Sequence, residues 1–180
     1  MQNYGKAQSG FTLIELVVVI VIIGILSVTA IPRYLDVAEE AFISTSEGVT
    51  GAFRGGVHLA KAEYLVKHGN GEVPVLFETT DREGTTIFVG SNSNGFPVSS
   101  DGETVSLSSD VDCANLWNGL INTNLLAGTG QFAPFSVQPD VLSSYDDNAD
   151  VCRYLMSDVG VDMQLTYNDL NGRVDLIRLN

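Results

Sequence analysis

Gly10-Phe11-Thr12-Leu13-Ile14-Glu15-Leu16-Val17-Val18-Val19-Ile20-Val21-Ile22-Ile23-Gly24-Ile25-Leu26 opens the stretch whose reading decides how this chain is built. Residues 11–31 number 21, and 16 of them are Phe, Leu, Ile, Val or Ala. As an α-helix they would be about 31 Å long, the thickness of a bilayer's hydrocarbon core. A helix buried in a soluble domain is rarely apolar on every face, so the segment reads as membrane-inserted. Without it the 180-residue chain is about 40% hydrophobic, an ordinary value for a soluble domain.

The segment departs from an ordinary signal peptide or simple anchor. Residues 1–10 are short and polar with Lys6 as their only charge. The small residues Ser9 and Gly10 precede the apolar run, and no small-x-small cleavage site follows it. Glu15 stands inside the run, where an ionised carboxylate costs at least about 2.5 kcal/mol and therefore needs a partner.

Gly10-Phe11-Thr12-Leu13-Ile14-Glu15-Leu16 resembles the cleavage and methylation motif of type IV prepilins and pseudopilins, and the likeness runs to about Tyr34. The resemblance implies that a dedicated prepilin peptidase cuts between Gly10 and Phe11 on the cytoplasmic side and methylates the Phe11 amine. It makes Glu15 the fifth residue of the mature chain. The physical logic agrees. The new α-amine is a cation, Glu15 needs one, and an incoming subunit could supply it. A misplaced subunit would leave two charges unpaired, so the pair would set axial register.

Further along, Pro32 removes a backbone donor and is expected to kink or loosen the helix near Ala30 and Ile31. Gly24 lowers helix propensity in the same stretch. Together they suggest a segment able to melt as subunits pack, or simply the exit from the membrane. After Pro32 the pattern turns amphipathic. Tyr34, Ala38 and Phe42, then Val49, Phe53, Val57, Ala60 and Tyr64, recur at gaps of three or four. Gly69-Asn70-Gly71 ends the helix. Gly48, Gly51, Gly55 and Gly56 cost helicity and are expected to let a sheet approach closely.

The remainder is turn-rich. Residues 73–77, 85–89 and 104–107 read as short strands, and residues 113–126 as a helix capped by Asp110 or Asp112 and stopped at Gly128. Met163, Leu165 and Tyr167, then Val174 and Leu176, alternate on either side of a loop at residues 168–172, as in a β-hairpin. A long N-terminal helix followed by a small antiparallel sheet makes an α+β fold, which is also the type IV pilin fold by resemblance. The expected units are a leader over residues 1–10, a transmembrane and assembly half-helix over 11–32, an amphipathic half-helix over 33–69 and a globular head over 70–180.

Composition excludes several functions. A formal charge of −13 argues against an electrostatic nucleic-acid binder. Between residues 69 and 180 there are 16 acidic residues against four arginines, a surface suited to solubility outside the cell. Cys113 and Cys152 cannot make a four-ligand metal site. They lie beyond the membrane segment, where disulfides persist, and form one bridge or remain two buried thiols. The bridge matches the C-terminal disulfide loop of many pilins.

Asp146, Asn148 and Asp150 have a spacing that could ligate calcium, but Val151 replaces the glycine that calcium loops carry next, so a solvated loop is favoured. His58 reads as a packed helix residue and His68 as a helix-end residue. Neither sits in a triad or metal pattern, and no phosphate loop follows a strand. The chain is therefore expected to be no enzyme and to need no cofactor.

Within the family, Glu47-Gly-Val-Thr-Gly-Ala-Phe-Arg-Gly-Gly-Val, Cys113-Ala-Asn-Leu-Trp and Cys152-Arg-Tyr resemble mannose-sensitive haemagglutinin (MSHA) pilins. That resemblance implies a self-polymer, built by the pilus assembly machinery, for adhesion and biofilm attachment. The subunit would wait in the inner membrane of a Gram-negative bacterium before joining an extracellular pilus. A minor pilin or a type II secretion pseudopilin is the alternative.

Overall fold

The computed structural model describes residues 11–67, 69–80, 84–121, 125–130 and 139–180. Helix α1 (Leu13–Lys67) is 55 residues long and unbroken, so it extends about 82 Å. Its backbone stays helical through Pro32, and the expected loosening at Ala30 and Ile31 does not interrupt it. Gly69 closes the far end: at φ +71° its N–H donates to the Tyr64 carbonyl at 2.9 Å. His68 lies outside the described residues.

Two sheets follow. β1 (Val73–Thr80), β2 (Thr86–Ser91), β3 (Pro97–Ser100) and β4 (Val105–Ser106) form an antiparallel meander in chain order. Helix α2 (Asp110–Leu120) leads to the second sheet, made of β5 (Ala127–Thr129), β6 (Val141–Asp146), β7 (Val151–Asp158), β8 (Val161–Asn168) and β9 (Arg173–Arg178). The architecture is α+β, as expected, with one departure: β5 runs parallel to β6, while the other pairs are antiparallel.

Helix α2 also differs from expectation. Its cap is Ser109, whose hydroxyl accepts from the Asp112 N–H at 3.1 Å, and it ends at Leu120. Asp110 is inside the first turn, where its carboxylate accepts from the Tyr145 N–H at 2.7 Å. Gly128 stops nothing; it sits in β5.

The core lies where the second half of α1 meets both sheets and α2. Ser46, Thr50, Phe53, Val57, Ala60 and Tyr64 form a fully buried stripe at gaps of four and three. Thr50 is tolerated there because its hydroxyl donates to the Ser46 carbonyl at 2.8 Å. The Phe53 ring meets Trp117, Tyr154 and Tyr167 at centroid distances of 5.4–5.6 Å.

Each of the polar tips in this cluster has a partner. Trp117 Nε1 donates to the Leu125 carbonyl, Tyr154 Oη to that of Cys113 and Tyr167 Oη to that of Pro97. The last bond joins the second sheet to the first. Among the helix glycines expected to admit a sheet, only Gly56 is approached closely, and by a helix. A Cβ there would stand 2.9 Å from the Leu120 carbonyl oxygen, so α2 packs against α1 through a position without a side chain. A Cβ added at Gly48, Gly51 or Gly55 would meet open space among the described residues.

Candidate functional site

The amphipathic stripe enters the head later than its spacing suggests. Tyr34 is 74% exposed, Ala38 and Phe42 are half-buried, and full burial begins at Ser46. Below Ala38 the helix touches little. From Phe11 to Val37 the described side chains are exposed, with Ser27 alone intermediate. The span is long and apolar enough to cross a membrane, and none of its most apolar stretch is buried among the described residues. Its polar hydroxyls are closed off internally: Ser27 donates to the Ile23 carbonyl at 2.7 Å and Thr29 to that of Leu26 at 3.0 Å. Gly24 has open space where its Cβ would be, leaving a flat place on the helix surface.

At the start of this span Glu15 has a partner that spacing could have revealed. Thr12 and Glu15 form a reciprocal cap. The Thr12 N–H and hydroxyl donate to Glu15 Oε2 at 2.9 and 2.8 Å, and the Glu15 N–H donates to the Thr12 hydroxyl at 3.3 Å. The Thr12 carbonyl accepts the first helical bond from Leu16. This is the threonine-x-x-glutamate pattern that opens helices, and it is legible in Thr12-Leu13-Ile14-Glu15. Oε1 of Glu15 accepts no hydrogen bond among the described residues. Phe11, 87% exposed, is next to this cap, and Gly10 lies outside the described residues.

Cys113 and Cys152 are bonded, with Cα atoms 5.5 Å apart and both residues fully buried. The bridge pins α2 to β7 beside the aromatic cluster. No free cysteine remains.

The acidic loop uses its carboxylates to build its own turn. Asp146 accepts from the Asn148 N–H at 3.0 Å and from the Arg153 guanidinium. The Asn148 N–H, with the Arg153 charge beside it, holds the Asp146 carboxyl below the usual carboxylate range. Asp150 accepts the Tyr145 hydroxyl hydrogen, and that bond pushes the phenol's pKa up to about 12. Asp150 is in the left-handed region at φ +56°. Among the described residues no three His, Cys, Asp or Glu side chains gather as a metal site would require. His58 is exposed, contrary to its expected packing.

An exposed apolar stalk opening on a capped carboxylate, rooted in a disulfide-closed head, is the build of an anchored structural subunit. The family described as Prokaryotic N-terminal methylation motif matches residues 5–31. The chain is 30% identical over 112 residues to the type IV narrow pilus major component PilA5 of Thermus thermophilus, covering 57% of this chain and 97% of that one. It is 41% identical over 73 residues to the type IV major alpha-pilin of Moraxella bovis, 41% of this chain and 42% of that one. With the type IV major pilin protein PilE1 of Neisseria gonorrhoeae the identity is 45% over 62 residues, 34% of this chain and 35% of that one. The chain thus spans nearly all of the Thermus protein but well under half of the other two. No solved structure matches significantly. The chain belongs to the type IV pilins: it is a structural subunit of a pilus and not an enzyme.

Proposed function

We propose that this pilin is made with a ten-residue leader, cut between Gly10 and Phe11 by the prepilin peptidase and methylated on Phe11. The assembly machinery then polymerises it into an MSHA-type surface fibre used for adhesion. The observation that carries this reading is the uncovered apolar half of α1 with Glu15 at its start. In the inner membrane of a Gram-negative cell, lipid covers that half. In the fibre, the same half of neighbouring subunits covers it. Lipid and neighbouring helices are equally apolar, so the gain on assembly lies in helix packing and polar pairing. Glu15 Oε2 is engaged by Thr12 while Oε1 is open, so the carboxylate can hold its own helix cap and still accept the Phe11 amine of an incoming subunit. Gly24 lets a neighbouring backbone approach, and Pro32 marks the level where the helix leaves the bilayer.

The test is to shear filaments from cells and take the intact mass and N-terminal sequence of the released protein. A chain beginning at methylated Phe11 with Cys113 bonded to Cys152 is expected. A chain beginning at Met1 overturns the reading. Gly10→Asp is expected to leave the leader attached. Glu15→Ala is expected to be processed yet to give few fibres, and normal fibre yield would contradict the role assigned to Glu15.

A further inference from the structure

The exposed half of α1 carries a second set of unmatched charges above the apolar stretch. Arg33, Asp36 and Glu40 are exposed and make no ion pair among the described residues. Glu39 is different: it is held within the chain by Arg178 at 2.8 Å. Asp36 and Glu40 are one turn apart, so two like charges stand together, and Arg33, three residues before Asp36 on the same helix, forms no ion pair with either.

Their spacing matches the one at the helix start. Phe11 and Arg33 are 22 residues apart, about 33 Å along the axis and about 40° apart around it. Glu15 and Asp36 are 21 residues apart, and Glu15 and Glu40 are 25 apart and only about 20° apart in azimuth. When one α1 lies parallel to another and is shifted by the four residues that bring its Phe11 amine level with Glu15, its Arg33 comes level with Val37. That places the guanidinium between Asp36 and Glu40 of the second copy. Slipping by a further turn brings Arg33 level with Ala41, still beside Glu40 but away from Asp36, and carries the Phe11 amine into the apolar stretch, leaving Glu15 unmatched.

We infer that Arg33 of one subunit pairs with Asp36 and Glu40 of an adjacent copy of this chain, forming a second charge ladder that works in step with the Phe11–Glu15 pair to fix axial register. The occupant of this helix face is therefore another copy. The inference rests on the polymerisation described above. The two pairs have complementary settings. The lower lies in the apolar layer, where an unmatched charge is costly. The upper lies where the helix leaves that layer and the guanidinium can reach two carboxylates.

The test uses the full chain in its pilus-forming host and reads two quantities: sheared fibre and processed subunit in the membrane fraction. Arg33→Glu places three like charges together and is expected to lower fibre yield about tenfold while processed subunit accumulates. The reciprocal variant Asp36→Lys/Glu40→Lys is expected to do the same. Combining all three substitutions is expected to restore fibre to within about twofold of wild type. Normal fibre yield from Arg33→Glu, or no recovery in the combined variant, overturns the inference. If Arg33→Glu fails to reach the processed membrane pool, the reciprocal variant decides: full fibre yield from it is equally fatal. Fibres that assemble normally with Glu15→Ala would instead defeat the underlying assembly reading.

Discussion

The two halves of α1 have one backbone and opposite surroundings. Residues 11–37 expose almost every side chain, while the stripe from Ser46 to Tyr64 is buried against two sheets, α2 and a disulfide. Substitutions in the upper half are therefore felt within the folded monomer, and those in the lower half only when another molecule is present. Head stability and fibre assembly should be separable by position along a single helix.

The largest effect is expected where α1 meets the aromatic cluster. Phe53→Ala removes the ring that touches Trp117, Tyr154 and Tyr167 and should destabilise the detergent-solubilised protein by about 3–5 kcal/mol, read from denaturant midpoints. Next comes the bridge. Replacing Cys113 and Cys152 together by serine frees a loop closed across a separation of 39 residues, with an expected loss of about 4 kcal/mol on the chain-entropy account. Gly172→Ala is smaller, at about 2 kcal/mol: φ is +71° and the new Cβ would press into the Phe96 ring, so loop and ring must both shift. At the other extreme, Ile20→Ala should change the thermal midpoint of the head by no more than about 0.5 kcal/mol equivalent while lowering fibre yield. A large loss of head stability from Ile20→Ala would erase the distinction between the two halves.

Acidity should sharpen the same contrast, because the titrating groups with shifted pKa values outside the membrane segment are in the head. The Thr104 and Glu103 N–H groups hold Asp101 low, and the Asn148 N–H holds Asp146 low. Groups depressed in the folded state contribute stability above their unfolded value, near pH 3.8, and lose it as pH falls through the lower folded value. Asp169 runs the other way. Partial burial raises it, so its ionisation costs the folded state more as pH climbs above 3.8. Asp169→Asn is expected to raise the head's thermal midpoint slightly at pH 7 and to leave it nearly unchanged at pH 3. Equal shifts at both pH values would contradict the assignment.

Much of this could be read along the chain. The membrane-length run needs only its own composition. The stripe from Phe53 to Tyr64 follows from helical spacing, and β8 and β9 follow from alternation about residues 168–172. Other elements hid for identifiable reasons. In β7 the buried Cys152, Tyr154 and Met156 are flanked by Val151 and Leu155, so the alternation is blurred. In β6 an exposed Leu142 sits next to a buried Ser143, whose hydroxyl is satisfied by the Asp110 and Gly128 carbonyls, a partnership no local pattern announces. Helix α2 reads as longer in sequence because Ile121, Leu125 and Leu126 extend its apolar pattern, yet it ends at Leu120, where the Ile121 N–H donates to the Trp117 carbonyl. Asn118 takes the Ala127 N–H and donates back to its carbonyl.

The cap at Thr12 was legible in Thr12-Leu13-Ile14-Glu15 and was overshadowed by the cost of the Glu15 charge.

By itself, the sequence determined the long helix and its division into an apolar and an amphipathic half, because each depends on local composition or on spacing along one element. The subunit class came through the resemblance at residues 10–16, and the cysteines were bridge or thiols until α2 met β7. The tertiary structure decided where the helix enters the head, which glycine lets α2 approach, the parallel pairing of β5 with β6 and the fate of each carboxylate. Those outcomes depend on groups distant in sequence competing for the same space and the same hydrogen-bond donors, and only the folded chain resolves that competition.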